Sequence, residues 1–272
     1  MSVLQVGSAT VGFADEGEGT PVLLFHGTTM SRTAWDMVRP EVADPHRWVM
    51  VEFPGSGESS MPDGPIEVDD LVAQALAVVD HLGIDRFHVA GYSLGAVAAL
   101  AVAAAAPDRV ISCTSLCGWA TTDARQRFTF GLWRQLIATS PELFMRYAAA
   151  DGFTAGAIAA LEPMLEGVIA MGASTIAPGS DAHLELDERV DIADRLGSIT
   201  APTLVIGGIE DRWVDVTHSR AVASAVAGAQ LEEVPFGHLV IQEGAAVVAQ
   251  LLGAHLSAAD AAAAADDAGG AA

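Results

Sequence analysis

Short apolar runs that alternate with helical patterns are the feature that most constrains the fold of this chain. Residues 22–25 and 48–53 consist mainly of consecutive apolar side chains, a pattern typical of strands buried on both faces of a sheet. The same alternation returns near the C-terminus, where strands are predicted at 203–207 and 231–234. Further strands are predicted at 87–92 and 110–116, a hairpin at 3–14, and helices at 66–82, 94–106, 216–226 and 245–256. We therefore predict an α/β fold, a mostly parallel twisted sheet with helices on both faces.

The alternation stops in the middle of the chain. Residues 119–189 contain helical patterns and no good strand, and they hold much of the aromatic and methionine content. We interpret this segment as a helical cap inserted into a core that comprises residues 1–118 and 190–256. The Ala- and Asp-rich segment 257–272 is of low complexity, and we expect it to be a disordered tail.

The charge of the chain excludes two classes of partner. There are 35 acidic residues against 13 basic ones, all of them arginine, and the formal net charge is −22 at pH 7. Binding to nucleic acid or to an anionic membrane surface requires a basic face, so we expect neither partner. The N-terminal residues lack the basic and apolar regions of a signal peptide. We expect a cytoplasmic monomer or homodimer that acts on a small molecule.

The pentapeptide Gly91-Tyr92-Ser93-Leu94-Gly95 carries the clearest chemical signal. It follows a predicted strand and begins a predicted helix, which is the context that a nucleophile elbow requires. A serine on such a tight turn needs small residues two positions before and after it. The start of the helix supplies free N–H groups and the positive end of the helix dipole, and both suit an oxyanion.

Three other strand ends carry residues that complement a serine. His26-Gly27-Thr28 follows one strand, Glu210-Asp211 a second and Gly237-His238 a third. In open parallel sheets, ligands bind at the carboxyl ends of the strands, where these residues are expected to meet. We expect His26 to pack within its loop rather than act as a base. Asp211 is favoured over Glu210 as the acid.

These motifs, in this order and spacing, resemble the α/β-hydrolase superfamily over nearly the whole chain. The resemblance covers the His26-Gly27 loop, the turn at 52–59, the elbow, Asp211 and the Gly237-His238 pair, and the helical insertion is similar to the family's cap. The chain departs from the family at two positions. Glu52 stands where the family usually has Asp, and Ala96 where a second glycine often follows the elbow. Neither position touches the expected chemistry.

The expected roles follow from the needs of a serine nucleophile. His238 would take the proton of Ser93, and Asp211 would fix the tautomer of the imidazole. The backbone amides of Thr28 and Leu94 would bind the oxyanion. We predict hydrolysis of a carboxylic ester, lactone or thioester through an acyl-enzyme. The alternatives are carbon–carbon bond hydrolysis, a non-hydrolytic cyclase or lyase reaction on the same scaffold, and a ligand-binding receptor.

The apolar residues of the cap and of the strand-following loops are expected to select the substrate. As a set they favour an organic substrate with substantial apolar area. Residues predicted to line the pocket are Met30, Trp119, Trp133, Phe144, Met164 and Trp213. Arginines of the cap that could face a carboxylate of the substrate are Arg125, Arg127, Arg134 and Arg146.

No cofactor or metal site is expected. The chain lacks phosphate-binding glycine loops, and its histidines and cysteines have no metal-binding spacing. Cys113 and Cys117 are interpreted as core residues of their strand.

Overall fold

An eight-stranded sheet forms the centre of the molecule in the computed structural model, which describes residues 2–61 and 63–269, with side chains as far as residue 265. The strands are β1 (Ser2–Val6), β2 (Ala9–Glu16), β3 (Pro21–Phe25), β4 (Arg47–Val51), β5 (Phe87–Tyr92), β6 (Val110–Leu116), β7 (Thr203–Gly208) and β8 (Gln230–Val234). Their order is β1-β2-β4-β3-β5-β6-β7-β8. β1 and β2 are antiparallel to their neighbours, and the other strands are parallel. The predicted fold class is confirmed.

Helices cover both faces of the sheet. Those that belong to the alternating pattern are α1 (Val68–His81), α2 (Leu94–Ala105), α8 (Val216–Ala225), α9 (Val240–Glu243) and α10 (Ala245–Gly269). Ten of the twelve residues of α2 are buried, because this nearly all-apolar helix packs between the sheet and its neighbouring helices. Side chains of β5 alternate between the two cores: Val89 packs on the α2 side and Tyr92 on the α10 side.

The segment between β6 and β7 is helical. It contains α3 (Ala124–Thr139), α4 (Pro141–Gly152), α5 (Ala155–Leu161), α6 (Leu165–Ser174) and α7 (Ser180–Asp187). A bridge between Thr121 and Asp191 joins the two ends of this segment where it leaves the core. We call residues 119–189 the cap.

The expectation of a disordered tail is wrong for the described part of residues 257–272. α10 continues without a break through this segment to Gly269. Alanine is the best helix former, so a run of alanines extends a helix that is already anchored. The extension is also tied to the core, because Ala259 is buried and Asp260 lies 3.1 Å from the ring of the buried His88.

Among the residues that the structure describes, two stretches, Ala155–Ser174 and Ala245–Ala265, are long and apolar enough to cross a membrane by length and composition alone. The first is divided between α5 and α6 by a short 3-10 helix at Glu162–Met164. The second is the helix α10, which packs against the sheet. Only 6% of the first stretch and 33% of the second are buried inside the protein, and one or two such helices are weak evidence for a span.

Candidate active site

Ser93 lies on the tight turn between β5 and α2, with backbone angles of φ 58° and ψ −122°. This left-handed conformation is rare for a residue with a side chain and stores strain of about 1–3 kcal/mol. The flanking glycines make the turn possible. A Cβ on Gly91 would lie 1.8 Å from the carbonyl oxygen of Gly95, and one on Gly95 would lie 2.5 Å from that of His26.

Three predicted side chains form one hydrogen-bonded chain at this turn. His238 Nε2 lies 3.0 Å from Ser93 Oγ, and His238 Nδ1 lies 2.6 Å from Asp211 Oδ2. All three residues are buried. Because Nδ1–H donates a hydrogen bond to the carboxylate of Asp211, Nε2 carries no proton and its lone pair is free to accept a hydrogen bond from the Ser93 hydroxyl.

The carboxylate of Asp211 is held from both sides. Its Oδ1 accepts hydrogen bonds of 2.9 Å from the amides of Trp213 and Val214, which follow it in the loop after β7. Glu210 is exposed, and its side chain makes no hydrogen bond to a described residue. The geometry therefore favours Asp211 as the partner of His238.

Tyr92, the residue before Ser93, supports the histidine from below. Its hydroxyl donates a 2.9 Å hydrogen bond to the carbonyl of His238, and its ring lies 5.4 Å from the imidazole. Burial raises the pKa of Tyr92 well above its usual range, so the hydroxyl remains a donor. The sequence predicted no role for Tyr92, although its place inside the elbow motif brings it under the site.

The two amides expected to bind an oxyanion flank Ser93. Thr28 follows β3, and a Cβ on the preceding Gly27 would lie 3.3 Å from Ser93 Cβ. Leu94 is the first residue of α2. Neither amide donates a hydrogen bond to another residue within 2–61 and 63–269, so both are available to a ligand.

His26 holds the loop that carries Thr28. Its Nε2 accepts the N–H of Phe53 at 3.1 Å, so Nδ1 bears the proton and donates it to the carbonyl of Gly27 at 2.8 Å. Burial lowers the pKa of His26 to about 3 and keeps the ring neutral. Both ring nitrogens of His26 are therefore bonded within the loop region, and the partner of Ser93 Oγ is His238, as expected if His26 is a packing residue.

A cavity of about 620 Å³ opens above Ser93 and His238. Met30, Trp133, Phe144 and Trp213, four of the six predicted pocket residues, line it. Other lining residues that the sequence analysis did not single out are Met37, Met145, Phe153, Ile169 and Met171. All of these except Met37 lie in the cap. The helical pattern of the cap sequence does not indicate which face of each helix meets the core.

Trp119 and Met164 were wrongly predicted to line the cavity. Trp119 is fully buried at the base of the cap, where its indole N–H donates to the Thr122 hydroxyl and its ring lies 5.6 Å from Phe130. Met164 lies on the 3-10 helix between α5 and α6 with 60% of its surface exposed. Both are apolar, but neither faces Ser93.

The cavity carries little charge. Its polar lining consists of Ser93, His238, four threonines, Tyr92, Gln242 and Glu243. Glu243 is already bound to the amide of Gly237 and to Thr154. No arginine lines the cavity within the described residues. The four cap arginines bind elsewhere: Arg125 to the carbonyl of Arg212, Arg127 to that of Thr122, Arg134 to Asp181, and Arg146 to Glu142 and Glu166.

In the described part of the chain, two clusters place possible metal ligands near one another. One comprises Cys117, Asp211 and His238, but here the acid and the imidazole bind each other, and burial raises the pKa of the Cys117 thiol well above its usual range. A protonated thiol is a poor ligand, so this set does not fit a metal. The other cluster, His46, His88 and Asp260, lies under α10, where Asp260 binds the ring of His88.

Comparisons with known proteins agree with this architecture. The family profile described as alpha/beta hydrolase fold matches residues 20–162. The chain is 31% identical to a pyrrolizixenacetamide deacetylase of Xenorhabdus hominickii over 88% of this chain and 91% of the relative. It is 30% identical to a 2-hydroxymuconate semialdehyde hydrolase of a Pseudomonas species over 92% and 91%.

Solved structures share the fold at lower sequence identity. The crystal structure of an enol-lactonase from Burkholderia xenovorans superposes with a TM-score of 0.82 at 20% identity, covering 94% of this chain and 100% of the lactonase. The profile match, the relatives and the sheet order agree, and the chain belongs to the alpha/beta hydrolase family and is an enzyme of the hydrolase class.

Proposed function

We propose that this enzyme hydrolyses a carboxylic ester, lactone or thioester of a neutral, largely apolar small molecule through an acyl-enzyme on Ser93. One observation carries the proposal. Ser93 Oγ, the His238 ring and the Asp211 carboxylate are joined by contacts of 3.0 and 2.6 Å at the floor of an apolar cavity. A serine hydroxyl becomes a useful nucleophile only when such a base removes its proton.

The reaction then follows from the positions of these groups. Ser93 Oγ attacks the acyl carbon while His238 Nε2 accepts its proton, and Asp211 stabilises the imidazolium that forms. The amides of Thr28 and Leu94 bind the tetrahedral oxyanion, and each such donor contributes roughly 2.7–4 kcal/mol to catalysis. His238 returns the proton to the leaving group. Water, activated by the same histidine, releases the acid from Ser93.

The lining of the cavity supports an uncharged substrate. Its walls are mainly aromatic, aliphatic and thioether side chains. Glu243, the only acidic residue among the described ones that line it, has its hydrogen bonds within the protein. The similarity to a deacetylase supports transfer of an acyl group. A partly buried carboxylate and the absence of a lining cation among the described residues disfavour an anionic substrate.

Carbon–carbon bond hydrolysis is the second candidate. The similarity to a 2-hydroxymuconate semialdehyde hydrolase, which extends over 92% of this chain, favours it. The same serine, histidine and oxyanion amides would serve such a reaction. A substrate with a carboxylate would need a cation that the described cavity wall does not provide.

Covalent labelling of Ser93 tests the proposal. We expect an alkyl fluorophosphonate to add once to the wild-type protein, as measured by intact mass, and p-nitrophenyl esters of increasing chain length to be hydrolysed. Ser93→Ala should lose the adduct and at least about three orders of magnitude of turnover with little change in melting temperature. The matched control is Ser115→Ala, since Ser115 is a buried serine whose hydroxyl has no hydrogen-bond partner among the described residues.

Each other outcome points elsewhere. Labelling of Ser93 without turnover of any ester would contradict ester hydrolysis and favour the carbon–carbon or the cyclase and lyase alternatives. More than about a tenth of wild-type activity in Ser93→Ala would exclude Ser93 as the nucleophile. A wild-type protein that takes no label would favour the receptor alternative.

A further inference from the structure

The loop that carries Thr28 is held by the cap as well as by the core. On the core side, the carbonyl of Gly27 accepts hydrogen bonds from His26 Nδ1 at 2.8 Å and from the amide of Met30 at 3.3 Å. These bonds hold one end of the peptide plane whose other end is the Thr28 N–H. The Cα of Thr28 lies in this same plane, and the plane can still turn about the direction of the Gly27 carbonyl.

The cap makes two contacts that restrain this Cα. The hydroxyl of Thr28 donates a 2.7 Å hydrogen bond to Asp187 Oδ2, across 159 residues of sequence. The amide of Ala177 donates a 2.9 Å hydrogen bond to the carbonyl of Thr29, which has a left-handed backbone with φ 66°. A non-glycine residue holds such a conformation only when its surroundings fix it.

Asp187 is an unusual residue to bury for stability alone. It is fully buried at the end of α7, and its Oδ1 has no hydrogen-bond partner among the described residues. Within the described residues, the contact of its side chain with Thr28 is the only polar one it makes. Burial raises the pKa of Asp187 well above its usual range, which favours an uncharged carboxyl that adds no negative charge beside an oxyanion.

We infer that Asp187 is a positioning residue for catalysis: by binding the Thr28 hydroxyl, it sets the direction of the Thr28 amide toward the oxyanion. The inference rests on the proposed acyl transfer at Ser93. Donors of this kind act on the transition state, so an error in their direction lowers kcat and leaves substrate binding nearly unchanged. The cap therefore has a second role besides substrate selection, because it supplies part of the geometry of the reaction itself.

The variants separate the hydrogen bond from the rest of the side chain. Asp187→Ala and Thr28→Val each remove the contact, and Thr28→Val does so with almost no change of volume. Asp187→Asn and Thr28→Ser each keep an acceptor or a hydroxyl in place. The matched control is Asp181→Ala. Asp181 lies on the same helix, and its exposed carboxylate pairs with Arg134 and does not reach the loop.

We expect kcat for p-nitrophenyl butyrate to fall about 10- to 100-fold in Asp187→Ala and in Thr28→Val, with KM within about threefold of the wild type. Affinity for an alkyl trifluoromethyl ketone, which forms a tetrahedral oxyanion on the serine, should fall by a similar factor. Asp187→Asn and Thr28→Ser should recover most of the kcat that Asp187→Ala and Thr28→Val lose, and the control Asp181→Ala should stay within about threefold of the wild type. The double variant Thr28→Val/Asp187→Ala should be no slower than the slower single variant.

Several results would overturn the inference. They are wild-type kcat in Asp187→Ala and Thr28→Val, equal loss of kcat in Asp187→Asn and Asp187→Ala, or additive losses in the double variant. If Asp187→Ala does not fold, the Thr28→Val and Thr28→Ser pair decides alone. A wild-type enzyme that turns over no ester and takes no phosphonate overturns the proposed function and this inference with it. Normal wild-type turnover with unaffected variants overturns this inference only.

Discussion

At the scale of the residue, two adjacent acids compete for one histidine. Asp211 Oδ2 lies 2.6 Å from His238, whereas the Glu210 side chain is exposed. We predict that Asp211→Asn lowers kcat roughly 10³- to 10⁴-fold, because an amide in this place favours the wrong tautomer of the imidazole. Glu210→Gln should stay within about twofold. Steady-state hydrolysis of a p-nitrophenyl ester measures both, and the reverse ranking would transfer the role to Glu210.

Residue types and their order predicted the hydrogen-bonded chain of Ser93, His238 and Asp211, because each residue follows its own strand in the sequence. They did not predict which apolar side chains face the cavity. An indole or a thioether indicates burial against something apolar, and for Trp119 this is the base of the cap. The contact between Thr28 and Asp187 has no sequence signal, since 159 residues separate its two partners.

At the scale of the element, the strand-turn-helix around Ser93 depends on two glycines. A Cβ at Gly91 would lie 1.8 Å from the carbonyl oxygen of Gly95, a contact that requires backbone movement. We predict that Gly91→Ala destabilises the fold by more than about 2 kcal/mol, with loss of turnover. Chemical unfolding monitored by tryptophan fluorescence measures the change.

The control for this variant is Gly167→Ala. Gly167 is exposed in α6, and a Cβ there would meet no atom within 4 Å. Because alanine is the better helix former, this substitution should raise the free energy of unfolding by about 0.5–1 kcal/mol. A Gly91→Ala protein as stable as the control would contradict the elbow geometry.

The far half of α10 is an element whose contribution can be measured by truncation. A chain that stops after Leu256 loses the buried Ala259 and the contact of Asp260 with His88. We expect the free energy of unfolding to fall by about 1–3 kcal/mol, because the buried ring of His88 loses a partner. A chain that stops after Ala265 keeps both contacts and should match the full chain in a urea titration. Equal midpoints for the two truncations would show that residues 257–265 contribute nothing.

The bounds of elements were predicted less well than their existence. The helix predicted at 245–256 continues to Gly269 because the alanine run has high helix propensity and a place to dock. Low complexity in the sequence carries no information about docking. The strand predicted at 48–53 ends at Val51, since Glu52 and Phe53 already form the turn that receives the His26 ring.

At the scale of the whole molecule, buried neutral histidines make stability depend on pH. Burial lowers the pKa of His26 to about 3 and of His88 and His183 to about 4, whereas an unfolded histidine titrates near 6.5. Below pH 6.5 the unfolded chain takes up protons that the folded protein excludes. The contribution of these three histidines to stability is therefore fully present above pH 6.5 and is lost as the pH falls toward 4.

Two buried acids oppose this trend. Burial raises the pKa of Glu52 and of Asp187, so the folded protein retains protons there that the unfolded chain releases. Each group changes the free energy of unfolding by at most about 1.4 kcal/mol per pH unit. Because three histidines act against two acids, we predict a net loss of stability from pH 6.5 to 4.5. His183→Gln should reduce the slope by about 1.4 kcal/mol per pH unit, as measured by urea unfolding at several pH values. An unchanged slope would contradict a neutral, buried His183.

The arrangement of the sheet was predictable from the sequence as a whole, because strands buried on both faces need helices on both faces. The docking of the cap was not. The sequence pattern of the cap helices does not show how they sit on the core. Their register over the core depends on contacts between distant residues, such as Ala177 with Thr29.

Those contacts have a consequence for how members of such a family can exchange parts. Residues 119–189 leave and re-enter the core at one neck, where Thr121 pairs with Asp191, and this suggests a module that recombination could replace. A chimera built in this way would lose the Ala177 and Asp187 bonds to the loop beside Ser93, and Thr154 would no longer hold Glu243. From the positioning role that we infer for Asp187, we expect such a chimera to react more slowly, whatever its new specificity. Thr28 lies in the core and Asp187 in the cap, so a graft that keeps this contact has to carry both residues.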